Sequence, residues 1–224
     1  MQILLPAIPI IKEYFQVSAE IAQLTLSLSM LSIAFGTLFY GPLADQFGRK
    51  PVLLLGLAIT IFGSALCYFA PSIELLILAR IIQSFGGAAG LVLARAIIRD
   101  VYGADDAARV IATLVMIMVV LPMLSPALGG ELTARFGWKS VFIVVACFSI
   151  LVMLLSRFWL NETLKEPQKF SGIRPLLRNF SSLMHSPAFR GYSLCVAFVS
   201  VVFFSFIAGA PEIMISAFER PPTE

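Results

Sequence analysis

Long apolar runs separated by short polar breaks cover most of the chain: Ile21–Tyr40, Val52–Ala70, Ile73–Ile98, Val110–Leu132, Val141–Trp159 and Tyr192–Met214. A bilayer core of about 30 Å takes roughly 20 helical residues at 1.5 Å each. Each run approximates that length, so each is predicted to be a membrane-spanning helix. Met1–Ile11 is also apolar but covers only about half the bilayer, and it reads as the second half of a span. The alternating ten-residue segments of a lipid-facing barrel are absent. The predicted fold class is all-α integral membrane: a six-span bundle with a truncated first span over residues 1–160, a connector over 161–190, and a seventh span with its tail over 191–224.

The breaks orient the spans. If 41–51, 99–109 and 161–190 share one side, that side and its helix ends hold Arg49, Lys50, Arg95, Arg99, Arg109 and the basic residues from Arg157 to Arg190. The other side holds Lys12, Arg135, Lys139 and Arg220. Basic residues favour the cytoplasmic side, so the first set is predicted to be cytoplasmic. The outer connections, Pro71–Ser72 and Arg135–Lys139, are short enough to force antiparallel neighbours. Within the connector, Ile173, Leu176, Leu177, Phe180, Leu183 and Met184 recur at helical spacing, with Arg174 and Arg178 on another face and Pro175 near the start. That pattern predicts an amphipathic helix on the inner membrane surface.

Composition agrees with this layout and narrows the chemistry. The chain is 59% hydrophobic and 13% charged, against about 25% charged in soluble domains. A net charge of +3 without a basic run gives no footprint for nucleic acid. Cys67, Cys147 and Cys195 each lie inside an apolar run with no metal-ligand spacing, which reads as packing. His185 is the only histidine, and no G-x-S-x-G occurs, so neither an internal two-histidine metal site nor a catalytic residue is predicted.

Three polar or glycine-rich motifs interrupt the apolar pattern. In GPLADQFGRKP, Gly41–Pro51, Gly41 and Gly48 permit tight turning and close helix approach, and Pro51 suits the first turn of the next helix. Asp45 is placed to pair with Arg49 or to face the positive end of a neighbouring helix. In LILARIIQSFGGAAG, Leu76–Gly90, Arg80 lies about two turns into a span, with Gln83 and Ser84 one turn further on. In LPMLSPALGG, Leu121–Gly130, Pro122, Ser125, Pro126, Gly129 and Gly130 predict a bent helix with a small-residue face.

The first motif resembles the loop between spans two and three of the major facilitator superfamily, with Gln46 in place of the commoner basic residue. The second resembles that superfamily's span-four motif, with Ser84 where Gly is usual. The third resembles the span-five antiporter motif of drug exporters, with Ser125 in place of the first glycine. LLPAIPII, RDVYGADDAARV and NETL are most similar to the Bcr/CflA-type multidrug exporters. The resemblance covers essentially the whole chain and corresponds to the first half of a twelve-span protein plus its connector and span seven.

What the resemblance implies is a transporter of the drug:proton antiporter type in the bacterial inner membrane, working by alternating access. It would take small lipophilic drug-like substrates and need no cofactor beyond a proton gradient. Gly41, Asp45, Gly48, Arg49 and Lys50 would form a cytoplasmic gate, with Arg95, Arg99 and Asp100 in an associated charged cluster. Arg80 and Gln83 would line the cavity and respond to proton or substrate. The bare alternative is an arginine held by helix carbonyls for packing. Pro122, Ser125, Pro126, Gly129 and Gly130 would seal the inward side.

Gln2 stands where the family carries an acid, so no proton-coupling role passes to it. A chain with one bundle is expected not to transport alone, since alternating access needs two bundles rocking about a midplane site. Its partner would be a missing C-terminal half or a second copy. A half-transporter working as a dimer, and a non-transporting membrane protein that binds partners through its cytoplasmic loops, are the competing readings.

Overall fold

In the computed structural model, residues 2–164 and 184–218 are described. A 3-10 helix, Gln2–Ala7, leads into α1 (Ile8–Phe15), followed by α2 (Ala19–Phe47), α3 (Arg49–Phe69), α4 (Ile73–Phe136) and α5 (Ser140–Trp159). These form one unit. A second unit contains α6 (Pro187–Phe218). No strand occurs among the described residues, in accord with the all-α class. Four helical segments are long and apolar enough to cross a membrane: Ala19–Phe47, Arg49–Phe69, Ile73–Gly103 and Ser140–Trp159. The runs expected at Val110–Leu132 and Tyr192–Met214 are helical as well, within α4 and α6. The amphipathic helix expected in the connector falls mostly outside the described residues.

Local signals set most helix ends. Ser18 and Ser72 cap α2 and α4, their hydroxyls accepting from the N–H of Ile21 and Leu75 at 3.4 Å. Such caps satisfy donors that have no partner within the helix. Two polar breaks proved more helical than expected. The predicted loop at 41–51 is almost all helix, because α2 runs on to Phe47 and α3 begins at Arg49, with Gly48 the sole residue between them. The predicted loop at 99–109 is a kink inside α4, centred on Gly103 at φ 74° and ψ 178°, a region open essentially to glycine alone. Helix continuation satisfies the backbone internally, which lipid demands.

Packing centres on α4, which contacts α2, α3 and the 3-10 helix, while α5 packs on α3. One buried cluster joins Leu4, Ala7 and Ile11 to Cys67, Leu76, Ala79, Trp138 and Phe142. The short apolar start is therefore wedged into the bundle by one face. A second cluster, Tyr40, Ala44, Val52, Ala88, Ala89 and Leu93, closes the other end of α2, α3 and α4. Between the clusters the helices meet through small residues. A Cβ on Gly63 would lie 2.5 Å from the Gln83 backbone nitrogen, and one on Gly86 would lie 2.5 Å from the Gly56 carbonyl oxygen. Of the neighbouring glycines on α4, a Cβ on Gly87 or Gly90 would meet nothing within 4 Å, so among these three Gly86 alone makes a close approach. Buried hydroxyls bond back along their own helices, as Thr60 does to the Gly56 carbonyl at 2.9 Å, and Ser32 crosses from α2 to the Ile81 carbonyl on α4 at 2.7 Å. Neither leaves a polar group facing lipid unpaired.

Candidate functional site

Two polar constellations interrupt the apolar bundle. The first lies where α2 ends and α3 begins. Arg49 opens α3 and is buried, at 4% exposure. Its Nη1 pairs with Asp45 of α2 at 2.6 Å and its Nε with Asp100 of α4 at 2.9 Å, so a single arginine ties three helices together. A cation at a helix N-terminus has the unfavourable sign for the backbone dipole. Three carboxylates offset it: Asp45, Asp100 and Glu162.

Glu162 comes from the segment after α5 and acts as the missing cap of α3. Its Oε1 accepts from the Arg49 backbone N–H at 2.8 Å and its Oε2 from that of Lys50 at 3.1 Å. The N–H groups of Thr163 and Leu164 also donate to Oε1, both at 3.0 Å. Gly48 makes this possible twice over. Its φ of 100° turns the chain, and a Cβ there would sit 2.5 Å from Glu162 Oε2. Gly41, expected to turn the chain or to admit a close neighbour, does neither: it lies within α2 with open space around it.

Partial burial pushes the Glu162 pKa up, but the four N–H donors outweigh it and hold the carboxyl below its ordinary value. A carboxylate with a depressed folded pKa contributes stability above its unfolded pKa of about 4.3, and loses it as pH falls through the folded value. Glu162→Ala is therefore expected to cost about 1 kcal/mol at pH 7, the usual effect of a lost cap. The difference from wild type should shrink as pH drops below about 4, as measured by thermal unfolding in detergent across a pH series.

Among the other residues read as part of this region, Lys50 contributes its backbone N–H. Asp100 joins the cluster. Arg95 and Arg99 do not: both are exposed on α4 and make no ion pair with Asp100 or another acid among the described residues.

The second constellation is inside the bundle. Arg80 is 6% exposed, Gln83 3% and Ser64 1%. Arg80 Nη1 donates to Gln83 Oε1, Gln83 Nε2 donates to Ser64 Oγ at 2.7 Å, and Ser64 Oγ donates to the Thr60 carbonyl at 2.8 Å. The i, i+3 spacing of Arg80 and Gln83 anticipated the first contact. The third member, Ser64, was missed, although its signal was present in the small, polar stripe Gly56, Thr60, Ser64 along α3. Arg80 Nε and Nη2 are buried without a hydrogen-bond partner.

The residues expected to bend span five lie in the second arm of α4, residues 104–136. The non-helical torsions of α4 occur at Gly103, whereas the backbone through Pro122, Ser125, Pro126, Gly129 and Gly130 stays helical. The small-residue face does find a neighbour. Gly129 abuts the Ile3 backbone carbonyl, and a Cβ on Gly130 would be 3.9 Å from Pro6. Glu131 pairs with Arg135 at the exposed end of the same arm.

Residues 1–219 match the family profile of the Major Facilitator Superfamily. The chain belongs to that superfamily. Among its relatives are an uncharacterized MFS-type transporter, YdgK, of Bacillus subtilis, 34% identical over 92% of this chain and 52% of the relative, and a bicyclomycin resistance protein homolog of Haemophilus influenzae, 30% identical over 97% and 55%. The multidrug resistance protein MdtL of Citrobacter koseri is 34% identical over 88% of this chain and 50% of the relative. The chain thus spans about half the length of the curated relatives it matches. The membership read from the motifs is borne out.

Proposed function

We propose that the bundle forms one wall of the cavity of a proton-driven exporter of small lipophilic drugs. The other wall would be a second bundle, carried by a continuing chain or by a second copy. The observation that carries this reading is the buried Arg80–Gln83–Ser64 chain. A guanidinium two turns inside an apolar span is costly and marks function by default, and relatives of this chain bear drug-resistance names. The Arg49 cluster supplies the gate end, a charged latch among α2, α3 and α4 that rocking of the bundle would load and release. The proton gradient is the proposed energy source, the cytoplasmic membrane the proposed site, and the basic breaks at 41–51, 99–109 and 161–190 the cytoplasmic side.

The gene in its own uninterrupted reading frame, expressed in a bacterium stripped of drug exporters, is expected to extrude at least one of three lipophilic probes, cationic ethidium, neutral Nile red or anionic 1-naphthoate, and to stop when an uncoupler collapses the proton gradient. Equal retention of all three probes with and without the gene would sink the proposal. The 224-residue chain alone, in proteoliposomes under an imposed pH gradient, is expected to move no dye. Export rising with the square of chain density would instead favour the dimeric half-transporter.

A further inference from the structure

We propose that the free edge of Arg80 is the anchor of a binding site for an apolar small molecule carrying one carboxylate. This rests on the exporter reading and names a substrate class for it. The hydrogen bonds around Arg80 all run one way, from its Nη1 to Gln83, from Gln83 to Ser64, and from Ser64 to the Thr60 carbonyl. They fix the guanidinium but supply it with one acceptor only. Nε and Nη2 remain buried and unpartnered. These two nitrogens share one edge of the guanidinium, where two parallel N–H groups match the two oxygens of a carboxylate.

No acidic side chain pairs with Arg80 among the described residues, whose ion pairs belong to Arg49 and Arg135. An uncompensated cation in a desolvated site is strongly unfavourable, so the edge is kept for an acceptor that arrives. One guanidinium offers one positive charge, which suits a monoanion. Arg80 lies seven residues into α4, about 10 Å along the helix, and that depth separates it from the phosphates of lipid headgroups.

The same stripe of α4 provides a bed for the apolar body. Ser84, Gly87 and Leu91 follow Arg80 at i+4, i+7 and i+11, on one helix face. Ser84 is 7% exposed and Leu91 37%, while a Cβ on Gly87 would meet nothing within 4 Å. The stripe opens as it leaves Arg80. A ligand would place its charged end on the buried edge and its apolar body over the vacant side-chain position at Gly87.

The test uses the full 224-residue chain, labelled with 15N-arginine, in nanodiscs of zwitterionic lipid. The Arg80 Nε–H resonance is assigned by its loss in Arg80→Lys. Titration with 1-naphthoate is expected to shift it saturably, and the isosteric 1-naphthamide to do so about tenfold more weakly or not at all, because it cannot fill both donors with acceptors. Arg80→Lys, which keeps the charge but loses the paired edge, should bind labelled 1-naphthoate about tenfold more weakly. Should that variant fail to fold, the acid-against-amide comparison in the wild-type chain still decides. Equal responses to acid and amide, or no response to either, would overturn the proposal. So would a resonance already shifted without ligand that returns on dilution to one chain per disc, which would assign the acceptor to a second copy. Ethidium export that persists when 1-naphthoate fails to bind would sink this inference alone. Binding without any export would sink the exporter reading alone.

Discussion

Replacing Arg49 with alanine is expected to destabilise the bundle by about 3 kcal/mol, the low end of the range for breaking a buried ion pair from one side. The loss arises less from the attraction removed than from the acids left behind. Asp100 is 19% exposed, so it would lose its partner while still largely out of water, whereas Asp45 at 41% exposure can be rehydrated. Thermal or denaturant unfolding in detergent measures the loss. Arg49→Ala combined with Asp100→Asn should be less destabilised than the sum of the two single variants, with a coupling of about 1–3 kcal/mol. Strict additivity would show that the pair contributes nothing as a pair. Since Arg49 also joins α2 and α4 to the start of α3, the variant should lose protection against hydrogen exchange first at 45–52.

The second large effect is expected at Gly63. Any side chain there meets backbone, at 2.5 Å from the Gln83 nitrogen and 2.6 Å from its Cα, and backbone cannot rotate aside. Gly63→Val should force α3 from α4 and cost about 3 kcal/mol, the upper part of the range for overpacking. It should also break the Ser64–Gln83 hydrogen bond, so the Gln83 side-chain amide signals should shift. Gly41→Ala is the internal control. It lies in a helix with open space around it, and it should be neutral or raise stability by up to about 1 kcal/mol through helix propensity. An intact α3–α4 contact in Gly63→Val would refute the small-residue account of how these helices associate.

Several parts of this arrangement were legible in the residues alone. Arg49 and Asp45 stand four positions apart in one short polar stretch, so their pairing was foreseeable as a local contact, although Gly48 breaks the helix between them. Arg80 and Gln83, three apart within α4, meet through helical periodicity. Glu162 was not legible. It stands more than a hundred positions from the helix it caps, and nothing local to NETL specifies which N-terminus it reaches. Arg95 and Arg99 illustrate the converse: adjacency to Asp100 suggested a shared cluster, but the helix directs Asp100 toward Arg49 and leaves both arginines exposed. The helical extension of α2 to Phe47 escaped the pattern because polarity marks the end of the lipid-buried stretch, not the end of the helix.

The sequence by itself determined the class, the number of apolar runs, their approximate ends and the superfamily. Hydropathy over twenty residues and motifs within a dozen are local properties, and in lipid a span must satisfy its own backbone. Tertiary structure alone decided which small residues touch, which carboxylates surround Arg49, and that Ser64 completes the Arg80 chain. These are contacts between helices whose rotation and depth are set by close packing of whole faces, and that information is spread over α2, α3 and α4 together.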